Sequence, residues 1–126
     1  MNVEVPHNAS IKFRDIHFSD LNSVISIYKK KTQESVTDKL TARFGLPSSI
    51  AIDNNEIIGF ASASLNETDE IKVDTYIVKT VGNLYVENML KQHAEKALYS
   101  RFGDFEKDNI SLKSSIHQLV VWLNKY

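Results

Sequence analysis

The sequence predicts an α+β fold in the order strand, two helices, three antiparallel strands, helix, short strand and helix. Three observations carry this prediction. Residues 70–78 alternate between apolar and polar side chains with the period of a half-buried strand. Residues 84–102 repeat their apolar side chains at helical spacing and stop before Gly103, a residue that commonly follows a helix. Residues 49–65 contain two strand-like runs joined at Asp53-Asn54-Asn55, which tolerate the left-handed backbone of a tight turn.

Composition narrows the class of protein. A chain of 126 residues suits one domain with one core, here residues 1–126, in which 1–10 form a loose lead-in. Fifteen Lys and Arg against sixteen Asp and Glu leave a net charge of −1, so we expect no nucleic-acid or membrane partner. The absence of cysteine excludes disulfides, thiolate catalysis and Cys-based zinc sites. No apolar run approaches the ~20 residues of a membrane span, and no secretion signal opens the chain, which predicts a cytoplasmic protein.

The N-terminal third predicts a strand followed by a helix. Alternation in the first strand breaks near Asp15. Ser19 or Asp20 stands where a side chain accepts hydrogen bonds from the free amides of a helix that begins at Leu21. The lysine triplet 29–31 suits the end of that helix, where cations meet the negative end of its dipole. We therefore expect the lysines to form a solvated face.

Two further elements rest on weaker patterns. Apolar residues at helical spacing predict a second helix over 33–44, with Gly45 at its end. Near the C-terminus, residues 110–113 are predicted to form a short strand. The apolar positions from Ile116 onward predict a final helix that reaches the end of the chain.

This order of elements resembles the acyl-CoA N-acyltransferase fold of the GNAT family. The segment IKFRDIHFSDLNSVISIY resembles the family's opening strand and helix. IAIDNNEIIGFASASL resembles its second and third strands, with Gly59 in the usual setting. The resemblance covers residues 11–126 and rests on the order of its segments. It implies transfer of an acyl group from acetyl-CoA or another acyl-CoA to a small-molecule or peptide amine, in a pocket to which the first helices contribute.

The loop after the fourth strand departs from the family's pattern. The family has [QR]-x-x-G-x-[GA] there, and glycine leaves room for the coenzyme A pyrophosphate against backbone amides. When TVGNLYVENMLKQHAEKAL is laid along that motif, Val81, Leu84 and Val86 take its three defining positions. We expect Leu84 and Val86 to fill the anion site or pack into the core, while Gly82 keeps the turn. A shifted register, in which Gly82 and Asn83 supply the amides, is the alternative.

Candidate catalytic residues lie on the central strand. Some acetyltransferases place there a carboxylate that takes the proton of the amine, and this chain has Asp74 and Glu70. Tyr76 shares a face with Asp74 and is a candidate donor to the thiolate. The alternatives are solvent-facing carboxylates and a tyrosine that covers the edge of the core. The resemblance also implies that amides near Tyr76, Ile77 and Val78 stabilise the oxyanion and hold acyl-CoA. The histidines show no metal-ligand spacing, so we expect no metal site.

The C-terminal segment departs from the family a second time. ISLKSSIHQLVVWLNKY resembles its fifth strand and fourth helix, yet Leu123 stands where a proton-donating tyrosine is often found. The chain stops at Tyr126, before the family's last hairpin. We therefore interpret it as a degenerate, C-terminally truncated member, whose open sheet edge favours a homodimer. Two functions stay open: an N-acyltransferase with an altered cofactor loop, and a non-catalytic binding or dimerisation module.

Overall fold

The computed structural model describes residues 10–78 and 83–125. Of the predicted lead-in, only Ser10 lies within these ranges. The described elements are β1 (Lys12–Asp15), a 3-10 turn (Phe18–Asp20), α1 (Leu21–Thr32), β2 (Leu46–Asp53), β3 (Glu56–Leu65), β4 (Ile71–Ile77), α2 (Asn83–Phe102) and α3 (Ile110–Lys125). The α+β class is confirmed. Among the described residues, no helix combines the length and apolarity that crossing a membrane requires.

The four strands form one antiparallel sheet in the order β1-β2-β3-β4. The predicted meander of three consecutive strands is therefore confirmed as β2, β3 and β4. Asn54 (φ 51°) and Asn55 (φ 64°) take left-handed conformations in the β2–β3 turn, as their side chains predict. Strand β2 changes register after Pro47 and again after Ala51, whereas β3 and β4 pair without a shift.

Helix α2 covers one face of the sheet and confirms the predicted helical stripe. Its buried residues return every fourth position, so a single side of the helix meets the sheet. Ser49 of β2 is buried on this face, and its Oγ donates a hydrogen bond to the Leu90 carbonyl at 2.9 Å. The buried stripe consists of Val86, Leu90, Ala94 and Leu98.

Helix α1 covers the opposite face, and α3 connects the two sides. Val24 of α1 packs in the same buried cluster as Phe60 of β3. Leu112 of α3 packs in a cluster with Leu98 of α2. Val120, two turns further along α3, belongs to the α1 cluster. The last helix therefore contributes to the cores on both sides of the sheet.

The predicted helix over 33–44 is wrong, because this segment is a loop. Gln33 has a left-handed φ of 59° and ends α1. The Asp38 carboxylate accepts a hydrogen bond from the Ser35 amide at 2.8 Å, a local bond that competes with helical pairing. Val36, on the predicted apolar face, is 86% exposed. Leu40 and Phe44 are buried in the α1-side core, so the segment packs two of its three apolar side chains as a loop.

The predicted short strand over 110–113 is also wrong, because Ile110–Lys113 is the first turn of α3. The Asp108 carboxylate accepts a hydrogen bond from the Ile110 amide at 3.3 Å, at the start of the helix. Leu112 is fully buried together with Ile116, four residues later. The apolar stripe of the final helix therefore begins one turn before the sequence pattern indicated.

Asp20 does not cap α1 in the predicted way. Asp20 is the N-cap residue of this helix, but its side chain makes no capping hydrogen bond to it. The Asp20 carboxylate instead accepts hydrogen bonds from the His17 amide at 2.7 Å and from the Arg14 guanidinium at 2.8 and 3.1 Å. The Arg14 hydrogen bonds, with smaller help from the His17 amide, hold the pKa of Asp20 below its ordinary value. Asp20 thus fixes the turn that joins β1 to α1.

Replacing Asp20 by asparagine is expected to cost about 1–3 kcal/mol of unfolding free energy at pH 7, because a buried charge-assisted hydrogen bond is lost. The pKa of Asp20 is lower in the folded protein than in the unfolded chain, where it is about 3.9. The stabilisation by ionised Asp20 is therefore complete above about pH 3.9 and is lost as the pH falls through the pKa of the folded protein. Urea denaturation at pH 7 and pH 3 measures it. The gap between wild type and Asp20→Asn should narrow at pH 3, whereas Asp104→Asn, at an exposed carboxylate, should change little. An equal gap at both pH values would contradict the assignment.

Candidate functional site

A cleft of about 840 Å³ lies on the α1 side of the sheet. Its walls are the C-terminal end of α1, residues 33–45 (loop 33–45), the end of β3, the turn that follows it, and β4. Clefts of 300–1,000 Å³ are typical of small-molecule sites. Asp74 and Tyr76, two of the predicted site residues, both line it. Their common face follows from the two-residue period of a strand.

Four aromatic rings pack together beneath this cleft. Tyr76 stacks on Phe60 with ring centroids 5.0 Å apart, and meets Tyr28 of α1 edge to face at 5.2 Å. Phe44 of loop 33–45 contacts Tyr28 at 5.1 Å and Phe60 at 6.2 Å. Such contacts add to the stabilisation from burial alone. Tyr76, which is partly exposed, therefore presents a rigid aromatic surface to the cleft, and Tyr28, at 3% exposure, supports it from the core side.

Both tyrosines stay protonated at neutral pH. Burial, reinforced by the nearby Asp74 carboxylate, raises the pKa of Tyr76 to about 12. Burial and the Glu34 carboxylate raise the pKa of Tyr28 further above its ordinary value. A phenol with a raised pKa is a weak proton donor to a thiolate, because an ordinary thiol has a pKa of only about 8.5. These hydroxyls are better suited to hydrogen bonding than to proton transfer.

Asp74 is held in place by the neighbouring strand. Ser64 of β3 is almost fully buried, and its Oγ donates a hydrogen bond to Asp74 Oδ2 at 2.9 Å. The Asp74 side chain is half-buried. A carboxylate oriented by a buried hydroxyl at the edge of an aromatic surface is suited to receive a positively charged group.

The rim of the cleft is polar and slightly acidic. Arg43 and Glu67 approach to 3.5 Å, but both are exposed, so this ion pair contributes little. Three carboxylates stand against two cationic side chains, which leaves a local charge of −1. The carboxylates are Glu34, Glu67 and Asp74, and the cations are Arg43 and Lys72.

Glu70, the other predicted carboxylate, lies in a turn and does not line this cleft. It accepts hydrogen bonds from the side chains of Thr68 and Asn66, while the Glu70 amide donates to Asn66 Oδ1 at 2.9 Å. Its hydrogen bonds from Thr68 and Asn66 lower the pKa of Glu70. Glu70 instead faces a neighbouring cleft between the turn, α2 and α3. The structure therefore separates Glu70 from Asp74 and Tyr76.

The predicted cofactor loop is described only in part. Val81 and Gly82 lie outside the described residues, and Asn83 is described only as the first residue of α2. Val86 is 1% exposed and packs in the core beneath α2, as expected of a bulky residue at that motif position. Leu84 is 72% exposed and does not pack into the core. Of these two bulky side chains, only Val86 is therefore packed into the core.

The end of β4 is engaged in the sheet. Ile77 is buried in the α2-side core, so its side chain faces away from the cleft. The Val78 amide donates a hydrogen bond to the Ile58 carbonyl at 2.8 Å. This amide, predicted to be available for an oxyanion, thus already has a backbone acceptor.

Two side chains to which the sequence assigned no such role, those of Asn124 and Lys29, hold loop 33–45, the outer wall of the cleft. Asn124 of α3 accepts a hydrogen bond from the Leu40 amide and donates one to the Leu40 carbonyl, both at 2.8 Å. Lys29, predicted to be solvated, donates from Nζ to the carbonyls of Val36 at 2.9 Å and Asp38 at 2.7 Å. A lysine at the end of a predicted helix gives only a weak indication that it will bind the backbone carbonyls of the following loop. Nothing in the sequence pattern links Asn124 to Leu40.

Comparison of the chain with protein-family models, curated proteins and solved structures finds no match. Across residues 10–78 and 83–125, no group of three or more His, Asp or Glu side chains is arranged to hold a metal ion. The function must therefore be argued from the cleft itself.

Proposed function

We propose that this chain is a GNAT-like domain that binds a small organic amine in the cleft between α1 and β4, without acyl transfer. The observation that carries the proposal is the position of Asp74, fixed by Ser64 beside the rings of Tyr76 and Tyr28. A carboxylate next to aromatic surface provides both an ion pair and cation–π contacts for an ammonium group. The acidic rim favours the same ligand charge.

The sheet supports the GNAT-like part of the proposal. Four antiparallel strands in sequential order, with α1 on one face and α2 on the other, agree with part of the element order from which the resemblance was drawn, although the second helix and the short fifth strand of that order are not formed. The cleft lies against the first helix, to which the resemblance assigns part of the acceptor-amine pocket. A bound amine would thus occupy the acceptor side of such a fold.

Three features favour binding over catalysis. Residues 110–113, which the resemblance assigns to a fifth strand that helps to admit the pantetheine, are helical. The Val78 amide is occupied by Ile58. Val86 packs into the core at a position where the family has a small residue. The first and third features change parts that the acyl-CoA site of the family uses, and the second leaves one fewer of the amides that the resemblance assigns to the oxyanion.

Acyl transfer from acetyl-CoA is the second candidate, and one observation favours it. Asp74 and Tyr76 line the same cleft, so a carboxylate that can take the proton of an amine lies beside a phenol. In this version Asp74 is the base, and the amine attacks the thioester directly. The raised pKa of Tyr76 weighs against its role as proton donor.

Thermal unfolding with ligand panels tests both candidates. Benzylamine and linear alkylamines are compared with the alcohols of equal length, and acetyl-CoA is tested separately. A ligand at 100 times its dissociation constant stabilises by ~2.7 kcal/mol, which raises Tm by roughly 10 °C for a domain of this size. We expect amines, but not alcohols or acetyl-CoA, to raise Tm.

Asp74→Asn should abolish the amine-dependent shift, and Asp104→Asn, at an exposed carboxylate outside the cleft, should preserve it. Equal shifts for amines and alcohols would contradict recognition by Asp74. A shift with acetyl-CoA, followed by acetylation of a bound amine, would instead establish the transferase.

A further inference from the structure

Strand β4 is the last strand of the described sheet and pairs on one side only, with β3. The phase of that pairing is fixed by two hydrogen bonds, from the Val78 amide to Ile58 O and from the Asn66 amide to Glu70 O. Because hydrogen-bonded pairs alternate in an antiparallel ladder, every second residue of β4 turns its backbone groups toward β3. These residues are Lys72, Asp74 and Tyr76.

The backbone groups of the intervening residues, Val73 and Thr75, consequently point to the open edge. Both residues are partly exposed, so this edge is accessible among the described residues. Sheet edges are commonly protected by proline, a bulge or a very short strand. Strand β1, the opposite edge, has only four residues, whereas β4 has seven, without proline or register shift. Of the two edges, β4 is the better template for a further strand.

We propose that β4 pairs antiparallel with β4 of a second copy of this chain, about a two-fold axis at Val73. In this register the backbone groups of Val73 meet those of Val73 in the second copy, and Ile71 meets Thr75. Lys72 then lies opposite Asp74 of the second copy, and the two-fold axis repeats the pair. Opposite charges directly across a pair of strands stabilise it.

The charges of Lys72 and Asp74 favour a second copy of β4 as the pairing partner, and they favour one register of that pairing. An axis at Asp74 would also join outward-facing backbone groups, those of Val73 with those of Thr75, but it would place two carboxylates opposite each other. An axis at Thr75 would set Asp74 opposite Tyr76 and leave Lys72 without a charged neighbour in the ladder. Only the axis at Val73 places Lys72 of each copy opposite Asp74 of the other. The same ion pair then occurs twice, as the two-fold symmetry of an isologous interface requires. The proposal does not depend on a ligand in the cleft, although both involve Asp74.

Sedimentation equilibrium of the ligand-free chain tests the proposal with charge-reversal variants. Lys72→Asp and Asp74→Lys each replace two attractive pairs by two repulsive ones, which should weaken dimerisation about tenfold or more. The double variant Lys72→Asp with Asp74→Lys restores opposite charges in the same register and should recover most of the affinity. Val121→Lys, on the exposed side of α3, should leave the dimer unchanged.

Each alternative result overturns the proposal. A wild-type chain that is monomeric up to ~100 μM has no such interface. A dimer that tolerates both single variants, or that dissociates on Val121→Lys, uses another surface. Failure of the double variant to recover affinity, when its circular dichroism matches wild type, excludes the Val73 register.

Amide hydrogen exchange gives a second readout that needs no variant. At high protein concentration the Val73 and Thr75 amides should exchange at least about tenfold more slowly than in dilute solution, because they become paired. The Lys72 and Asp74 amides already face β3 and provide the internal comparison. Concentration-independent exchange at Val73 and Thr75 would also overturn the proposal.

Discussion

Replacing Gly45 by alanine is expected to destabilise the fold by more than about 3 kcal/mol, because the new side chain has no space and the backbone is unsuited to it. Gly45 has a φ of +75°, and a Cβ there would lie 2.1 Å from the Ala63 carbonyl oxygen and 2.8 Å from Ser64 Cα. These are backbone atoms of β3, so relief would require the start of β2 to separate from its partner. Urea denaturation of Gly45→Ala measures the loss.

Gly103→Ala is the matched control for this prediction. Gly103 has a similar φ of +69°, but a Cβ there would meet no atom within 4 Å. Its substitution should therefore show only the conformational cost, about 1–2 kcal/mol. If the two variants lose equal stability, crowding against β3 is not what requires glycine at Gly45.

Replacing Val86 by glycine is expected to cost about 3 kcal/mol, the second largest effect. Val86 is 1% exposed in the core beneath α2, so removing its side chain leaves a cavity. Glycine also costs up to ~1 kcal/mol relative to alanine within a helix. Thermal and urea unfolding of Val86→Gly measure the combined loss.

Leu84→Gly, two residues earlier in the same helix, separates the two contributions. Leu84 is 72% exposed, so its substitution should cost only about 1 kcal/mol, the helical propensity alone. Equal losses at Leu84 and Val86 would contradict the structural role of Val86. A Val86→Gly variant that instead gained acetyl-CoA binding would show that this side chain excludes the cofactor.

The elements that the sequence predicted well are those whose side-chain period matches a buried surface. The α2 stripe and the alternation of β4 both meet a core, so their periods were informative. The spacing of Val36, Leu40 and Phe44 is equally helical. There, however, Val36 is exposed while local Ser35 and Asp38 bonds shape a loop. Period alone did not distinguish these two cases.

Some contacts in the candidate site could be predicted from the sequence, and others could not. A two-residue period places Asp74 and Tyr76 on one face, and the sequence therefore predicted their proximity. Tyr28 joins them only because α1 packs across the sheet, and Ser64 orients Asp74 from a neighbouring strand. Contacts between residues so distant in the chain depend on how the helices pack, which local patterns do not encode.

Because Asn124 holds Leu40, loop 33–45 can be anchored only after the C-terminal helix α3 has been synthesised. The two residues are 84 positions apart, and their hydrogen bonds anchor the loop that supplies Thr41 and Arg43 to the cleft. During translation, the strands can associate while the C-terminal helix is still within the ribosome, but this anchor cannot form. The sheet can therefore form before loop 33–45 is anchored, and this wall of the cleft is complete only once α3 has been made and has packed.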